Sequence, residues 1–181
     1  MEVRHLKKSF GDKILFEDLN FSFPSSGTFR IAGPSGLGKT TFLRMIAGLE
    51  KPDNGEVEGA GRISMVFQED RLLENESALY NAAVAGSAEK AEEILKKLGL
   101  GDDLDTKAKE LSGGMARRVA AARALAREAD TYIFDEPLTG LDGENAERTA
   151  EVIEEYTEGK LLIVVTHDNN YLKNAETIEL K

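Results

Sequence analysis

The chain contains no cysteine and no tryptophan, and only two histidines and four prolines among 181 residues. Without cysteine there are no disulfides, thiolate metal sites or cysteine nucleophiles, which fits the cytosol. Long apolar runs are missing too. The longest stretch suited to a buried strand is Leu161-Leu162-Ile163-Val164-Val165, whereas a membrane-spanning helix needs about 20 apolar residues. The start, Met1 to Lys8, has no apolar segment after its charges, so no secretory signal is expected. Positive charge is in deficit: 23 Lys and Arg against 33 Asp and Glu leave a net charge of −10. Nucleic-acid binding draws on clustered Lys and Arg, so no nucleic-acid partner is expected. With no internal repeat or low-complexity linker, residues 1–181 are expected to form a single domain.

Glycine, in contrast, is plentiful and placed with purpose. Gly33-Pro34-Ser35-Gly36-Leu37-Gly38-Lys39-Thr40 reads G-x-x-x-x-G-K-[ST], the pattern of a triphosphate-binding loop. A short apolar run, 28–32, precedes it. After it, Phe42, Met45 and Ile46 recur at helical spacing. The chemistry requires this composition. Glycines at 33, 36 and 38 remove Cβ atoms, so successive amides can turn toward phosphate oxygens. The helix that follows adds the partial positive charge of its N-terminus. Lys39 then supplies a full charge to the β and γ phosphates, and the Thr40 hydroxyl is suited to Mg²⁺.

Hydrophobic patterning places strands at 2–8 and 13–23 around a turn at Gly11-Asp12, with a bulge expected near Asp18. Further strands are expected at 56–58, 62–67, 131–134, 161–165 and 177–180. Helices are expected from the loop to about Leu49, over 76–98, from Ser112 to about Arg127, and over 143–158. Ser112 reads as an N-cap. Apolar strands alternating with helices predict an α/β fold: a P-loop NTPase core with a mostly parallel sheet covered on both faces. An antiparallel portion is expected in the first third, and a small helical subdomain at about 72–127.

Asp135-Glu136 directly follows the apolar run 131–134. Ligands of open α/β sheets bind at the carboxyl ends of strands, where two adjacent acids call for a cation. Asp135 is assigned to the Mg²⁺ shell, and Glu136 to polarising the water that attacks the γ phosphate.

Leu111-Ser112-Gly113-Gly114-Met115, followed by Ala116 to Leu125, closely resembles the signature of ATP-binding-cassette ATPases. Nearly the whole chain shares the resemblance, with motifs in the family's order: the phosphate loop, Gln68, the signature, Asp135-Glu136-Pro137, Leu138 to Asp142, and Val165-Thr166-His167-Asp168. Ser112, Gly113 and Gly114 open a helix and form a second anion site. The resemblance implies an ATP-dependent head-to-tail homodimer, in which one subunit's signature closes over nucleotide held by the other's phosphate loop, giving two composite sites. It also implies that Gln68 reaches Mg²⁺ or the attacking water. His167 is implied to contact the γ phosphate and couple with Glu136, and Thr41 to touch the α phosphate. Phe10 would stack on adenine and Asp142 would sit at the subunit interface. Taken alone, Gln68 reads rather as a surface side chain and His167 as a structural one. His5 reads as structural, and Arg117-Arg118 as helix-surface charge.

Three departures from the family pattern stand out. Met115 replaces the usual glutamine, Leu37 is bulkier than the frequent serine, and the segment between Gln68 and Leu111 is short. No regulatory extension is expected after the last strand. The implied function is ATP hydrolysis that drives solute transport, most similar to bacterial importers of small oxyanions or organic solutes. The partner would be a separate membrane permease, and the chain would sit in the cytoplasm at the inner face of the membrane. Alternatives are an exporter-type subunit, a soluble cassette ATPase of DNA repair or chromosome maintenance, and a non-catalytic module of the same fold. Aromatic stacking accepts either purine, so GTP stands beside ATP.

Overall fold

The computed structural model describes residues 1–166, 171, 172 and 174–180. Two sheets organise it. Strands β1 (Glu2–Phe10), β2 (Lys13–Ser22) and β4 (Asn54–Glu58) form an antiparallel sheet of order β2-β1-β4. Strands β3 (Gly27–Ala32), β5 (Ile63–Val66), β6 (Thr131–Asp135), β7 (Leu161–Val165) and β8 (Glu176–Glu179) form a parallel sheet of order β5-β6-β7-β3-β8. The expected bulge near Asp18 is present. Leu6 pairs with Leu19 and Lys8 with Phe16, so β2 carries one extra residue between those pairs. The imidazole of His5 is exposed, and it pairs with Asp18 at 2.9 Å rather than filling the core.

Helix α1 (Lys39–Ile46) follows β3. Between β5 and β6 lie α2 (Ala78–Ala83), α3 (Ala88–Lys97) and α4 (Gly113–Ala126), and α5 (Gly143–Tyr156) joins β6 to β7. The single helix expected over 76–98 is two helices. Ser87 caps α3 by accepting from the Lys90 amide at 3.1 Å, which starts a new helix there. The preceding Gly86 lies against α4 so closely that a Cβ would sit 2.3 Å from the Ala126 carbonyl oxygen. The buried stripes of the two helices do not share a phase: from Ala82 to Ala91 is nine residues, about two and a half helical turns.

Strand alternation divides the interior. Tyr132, Phe134, Leu162 and Val164 face α2 to α5 on one side of the parallel sheet. Ile133, Leu161, Ile163 and Val165 face α1 and the antiparallel sheet on the other. Burial on both faces explains why the central strands read as continuous apolar runs. Each large side chain so buried stabilises the fold by about 1.5–3 kcal/mol. On α5 the stripe Ala146, Ala150, Val152, Ile153 is buried and the acidic residues remain on the solvent side, as expected.

Arg117 and Arg118 are not surface charge, as the sequence suggested. Arg118 is 8% exposed and donates to the Leu98 carbonyl at 2.7 Å. Arg117 donates to the carbonyls of Phe67 and Gln68. Backbone carbonyls of neighbouring segments, which no sequence pattern reveals, take both guanidiniums inward.

The topology decides where a site can form. β7 lies between β3 and β6, with Val165 in register with both Ile31 and Asp135. The loop after β3 and the acidic pair after β6 therefore flank the end of β7 at a single sheet edge.

Candidate nucleotide site

Gly38 turns the phosphate loop into α1. It holds φ +96°, and a Cβ there would lie 3.0 Å from both Leu15 and Phe16. Its neighbour Lys39 is nearly buried, and the ammonium lies inside the loop, donating to the Gly33 carbonyl at 2.7 Å and the Pro34 carbonyl at 3.1 Å. α1 has no side-chain cap and no acidic residue in its first turn, which leaves its positive end open to an anion. The Leu37 side chain packs toward the core, so its bulk does not enter the site.

The Thr40 hydroxyl donates to Asp135 Oδ2 at 2.7 Å. Asp135 is 1% exposed at the end of β6. Glu136 follows in the left-handed region, φ +55°, rare for a residue other than glycine and a mark of functional sites. Two contacts hold it there: its amide donates to the Val165 carbonyl at 2.9 Å, and its carboxylate accepts from the Thr139 hydroxyl at 3.1 Å.

These groups open onto a cavity of about 420 Å³, within the range of small-molecule sites. Ser35, Gly36, Gly38, Lys39, Thr40 and Thr41 form one wall, Gln68, Asp135 and Glu136 another, and Phe10 the entrance. Phe10 is half exposed, and the Lys8 ammonium lies 4.9 Å from its ring centroid. Three residues with no assigned role also line the cavity: Leu15, Val165, and Lys13, which donates to the Gly36 carbonyl at 3.1 Å. A lysine at the start of a strand carries no motif, so spacing could not have singled it out. Thr139 was likewise legible only as part of a run, not as the partner of Glu136.

The donor set fits Mg²⁺. One carboxylate and one hydroxyl meet at 2.7 Å beside a lysine, and Mg²⁺ is ordinarily bound by one or two protein oxygens with phosphate and water completing the shell. Among the described residues no group of three or more His, Asp or Glu forms a self-sufficient metal cage.

Ser112, Gly113, Gly114 and Asp142, also expected at the site, do not line this cavity. Ser112, Gly113 and Gly114 begin α4, where the Ser112 hydroxyl accepts from the Met115 amide at 3.3 Å. Ser112 and Gly113 are exposed, and a Cβ on Gly113 would meet nothing within 4 Å. Asp142 caps α5, accepting from the Asn145 amide at 2.9 Å and the Asn145 side chain at 2.8 Å. Those bonds hold its carboxyl below the usual carboxylate range. The two elements touch: a Cβ on Gly114 would lie 3.3 Å from Leu141. His167 lies outside the described residues.

Comparison with known proteins agrees with this geometry. A family model described as ABC transporter matches residues 16–139. The arginine transport ATP-binding protein ArtM of Bacillus subtilis is 33% identical, over 97% of this chain and 84% of that protein. The dimeric structure of MJ0796, a bacterial ABC transporter cassette, superposes with a TM-score of 0.88 at 30% identity, covering 99% of this chain and 94% of that one. A second structure of the same cassette, a dimeric post-hydrolysis state bound to ADP and Pi, superposes with a TM-score of 0.87 at 28% identity over the same shares.

Proposed function

From the premise that the chain belongs to the ABC transporter family, we propose that two copies close head to tail on two ATP molecules, each held between one subunit's phosphate loop and the other's Ser112 to Gly114. The protein is the ATP-binding and ATP-hydrolysing subunit of a transport system. The observation that carries the composite site is spatial. The exposed anion site at the start of α4 adds nothing to the cavity at Lys39, although both are built for phosphate.

The cavity geometry supports these roles for the residues that line it, and the family resemblance supplies those of Asp142 and His167. Backbone amides of the loop and the Lys39 ammonium hold the β and γ phosphates. Thr40, Asp135 and Gln68 would hold Mg²⁺, which when bound neutralises charge between those phosphates. Glu136 orients and polarises the attacking water, and its strained backbone fixes the carboxylate in place. Phe10 offers its ring to the purine, Thr41 its hydroxyl to the α phosphate, and Lys13 a second cation beside the loop. Asp142 borders the partner subunit, and His167 couples the γ phosphate to Glu136. The whole chain, 1–181, acts as one unit whose helical part, about 72–127, carries the signature. No helix among the described residues is long and apolar enough to cross a membrane. The permease is read as a separate polypeptide, in keeping with relatives named as ATP-binding proteins of transport systems, with this subunit docked on its inner face. Import of a small solute matches the transport role in the name of the Bacillus relative.

A mixing experiment tests the composite site. Lys39→Ala removes one half of the site and Gly113→Asp the other, so each purified variant alone is inactive. Random mixing makes half the dimers mixed, each with one intact site, and recovers about a quarter of wild-type hydrolysis if sites fire independently. No recovery in the mixture, or full activity of Gly113→Asp alone, refutes the arrangement.

A further inference from the structure

Between β5 and α2 the chain runs from Phe67 to Ser77 without helix or strand. Side chains from two helices hold its backbone. Arg117 donates to the Phe67 carbonyl at 3.2 Å and the Gln68 carbonyl at 2.7 Å. Arg123 donates to the Asp70 carbonyl at 2.8 Å and the Arg71 carbonyl at 2.9 Å. Fully buried Asn81 on α2 accepts from the Leu73 amide at 2.7 Å and returns a bond to the Leu73 carbonyl at 3.1 Å. The Asp70 carboxylate faces Arg117 Nε at 3.1 Å without the alignment of a hydrogen bond. The Arg71 guanidinium lies over the Phe67 ring at 4.4 Å, and Arg71 itself holds φ +48°.

Both arginines come from α4, the helix that opens at Ser112. The segment they grip carries Gln68, whose side chain lines the nucleotide cavity. A guanidinium that spans two consecutive carbonyls fixes the position and the tilt of that backbone, which a single point charge cannot do. Gln68 must therefore travel with α4.

We propose that Arg117 and Arg123 are positioning residues that set Gln68 in a subunit's own nucleotide site according to where its signature helix sits against the nucleotide of the other subunit. The inference rests on the composite-site reading above. It makes the two sites of a dimer report to each other through α4. Closure of Ser112 on one nucleotide shifts α4, and the two guanidiniums carry Gln68 toward the other.

A double-mutant cycle on the purified chain tests this, with steady-state ATP hydrolysis and MgATP affinity as readouts. Gln68→Ala and Arg117→Ala should each lower kcat about ten- to a hundredfold, while ATP affinity changes by less than about threefold. The variant carrying both should be no slower than Gln68→Ala alone, because Arg117 acts through Gln68. Arg117→Lys should stay slow, since lysine lacks the fork. Losses that multiply, losses that fall on affinity, or full rescue by lysine overturn the proposal while leaving the composite site intact. A Gln68→Ala protein that hydrolyses at the wild-type rate overturns both the role of Gln68 and this inference. If Arg117→Ala does not fold, as judged by circular dichroism, Arg123→Ala provides the same cycle from the other end of the segment.

Discussion

The Thr40 hydroxyl donates to the Asp135 carboxylate at 2.7 Å, joining the start of α1 to the end of β6 across 95 residues of chain. The contact brings a hydroxyl and a carboxylate to one point beside the loop lysine. In Asp135→Asn the shape survives and the charge does not. ATP affinity in Mg²⁺ should fall by more than about tenfold, the loss seen even for residues that only support a metal ligand. Affinity in EDTA should change little. Titration with a fluorescent ATP under both conditions decides, and equal losses in the two would remove Asp135 from the metal site.

Lys39→Ala should abolish nucleotide binding and hydrolysis. Its ammonium touches only the carbonyls of Gly33 and Pro34 within the loop, so its removal takes away the fixed charge that faces the phosphates. ATPase activity at the wild-type level would end the nucleotide-site assignment.

Glu136→Gln should slow hydrolysis by about 10²–10⁴-fold and leave ATP binding in place. Closure then outlasts chemistry, and dimers should accumulate in ATP and Mg²⁺. Light scattering that shows only monomers under those conditions counts against the closing cycle.

Two glycine substitutions should separate by stability. Gly86→Ala drives a Cβ against the Ala126 carbonyl oxygen at 2.3 Å, and overpacking of this kind costs about 1–3 kcal/mol. Gly113→Ala meets open space and should stay within about 0.5 kcal/mol of wild type. Urea midpoints measure both, and equal midpoints would mean that α2 and α3 do not press on α4 as described.

Stability should also fall in alkali for a local reason. Burial, and then the hydrogen bond to Glu93, push the Tyr156 hydroxyl up to about 12. The folded pKa is raised, so the contribution is complete below the ordinary tyrosine value near 10 and is lost as pH rises toward 12. Tyr156→Phe should flatten the stability profile between about pH 10 and 12. An unchanged slope in urea titrations across that window would exclude Tyr156 as the source.

The loop at Gly33 to Thr40 and the pair Asp135-Glu136 were legible in the sequence because phosphate binding and a buried strand end each restrict residue type at fixed spacing. Ser112 was legible as a cap for the same reason, since a cap bonds within three residues, whereas the capping role of Asp142 was not read. Partners distant in sequence were not legible. Lys13 meets Gly36 only after the strands are laid side by side, while Thr139, only three residues from Glu136, was passed over because a loop hydroxyl carries no pattern of its own. Arg117 and Arg118 were misread because charge on a helix looks alike whether it meets water or carbonyls. The break at Gly86 was overlooked, although the capping residue Ser87 and the shift of phase between Ala82 and Ala91 both mark it.

The strand order has a consequence for the birth of the protein. β7 is inserted between β6 and β3, so both halves of the site wait for residues 161–165 to arrive. A nascent chain that has emerged only as far as α5 already carries Gly33 to Thr40 and Asp135-Glu136, yet lacks the strand that sets β3 and β6 in register. ATP should therefore act as a folding ligand only after residues 161–165 have joined the sheet, and a chain cut short before Leu161 should bind nucleotide poorly.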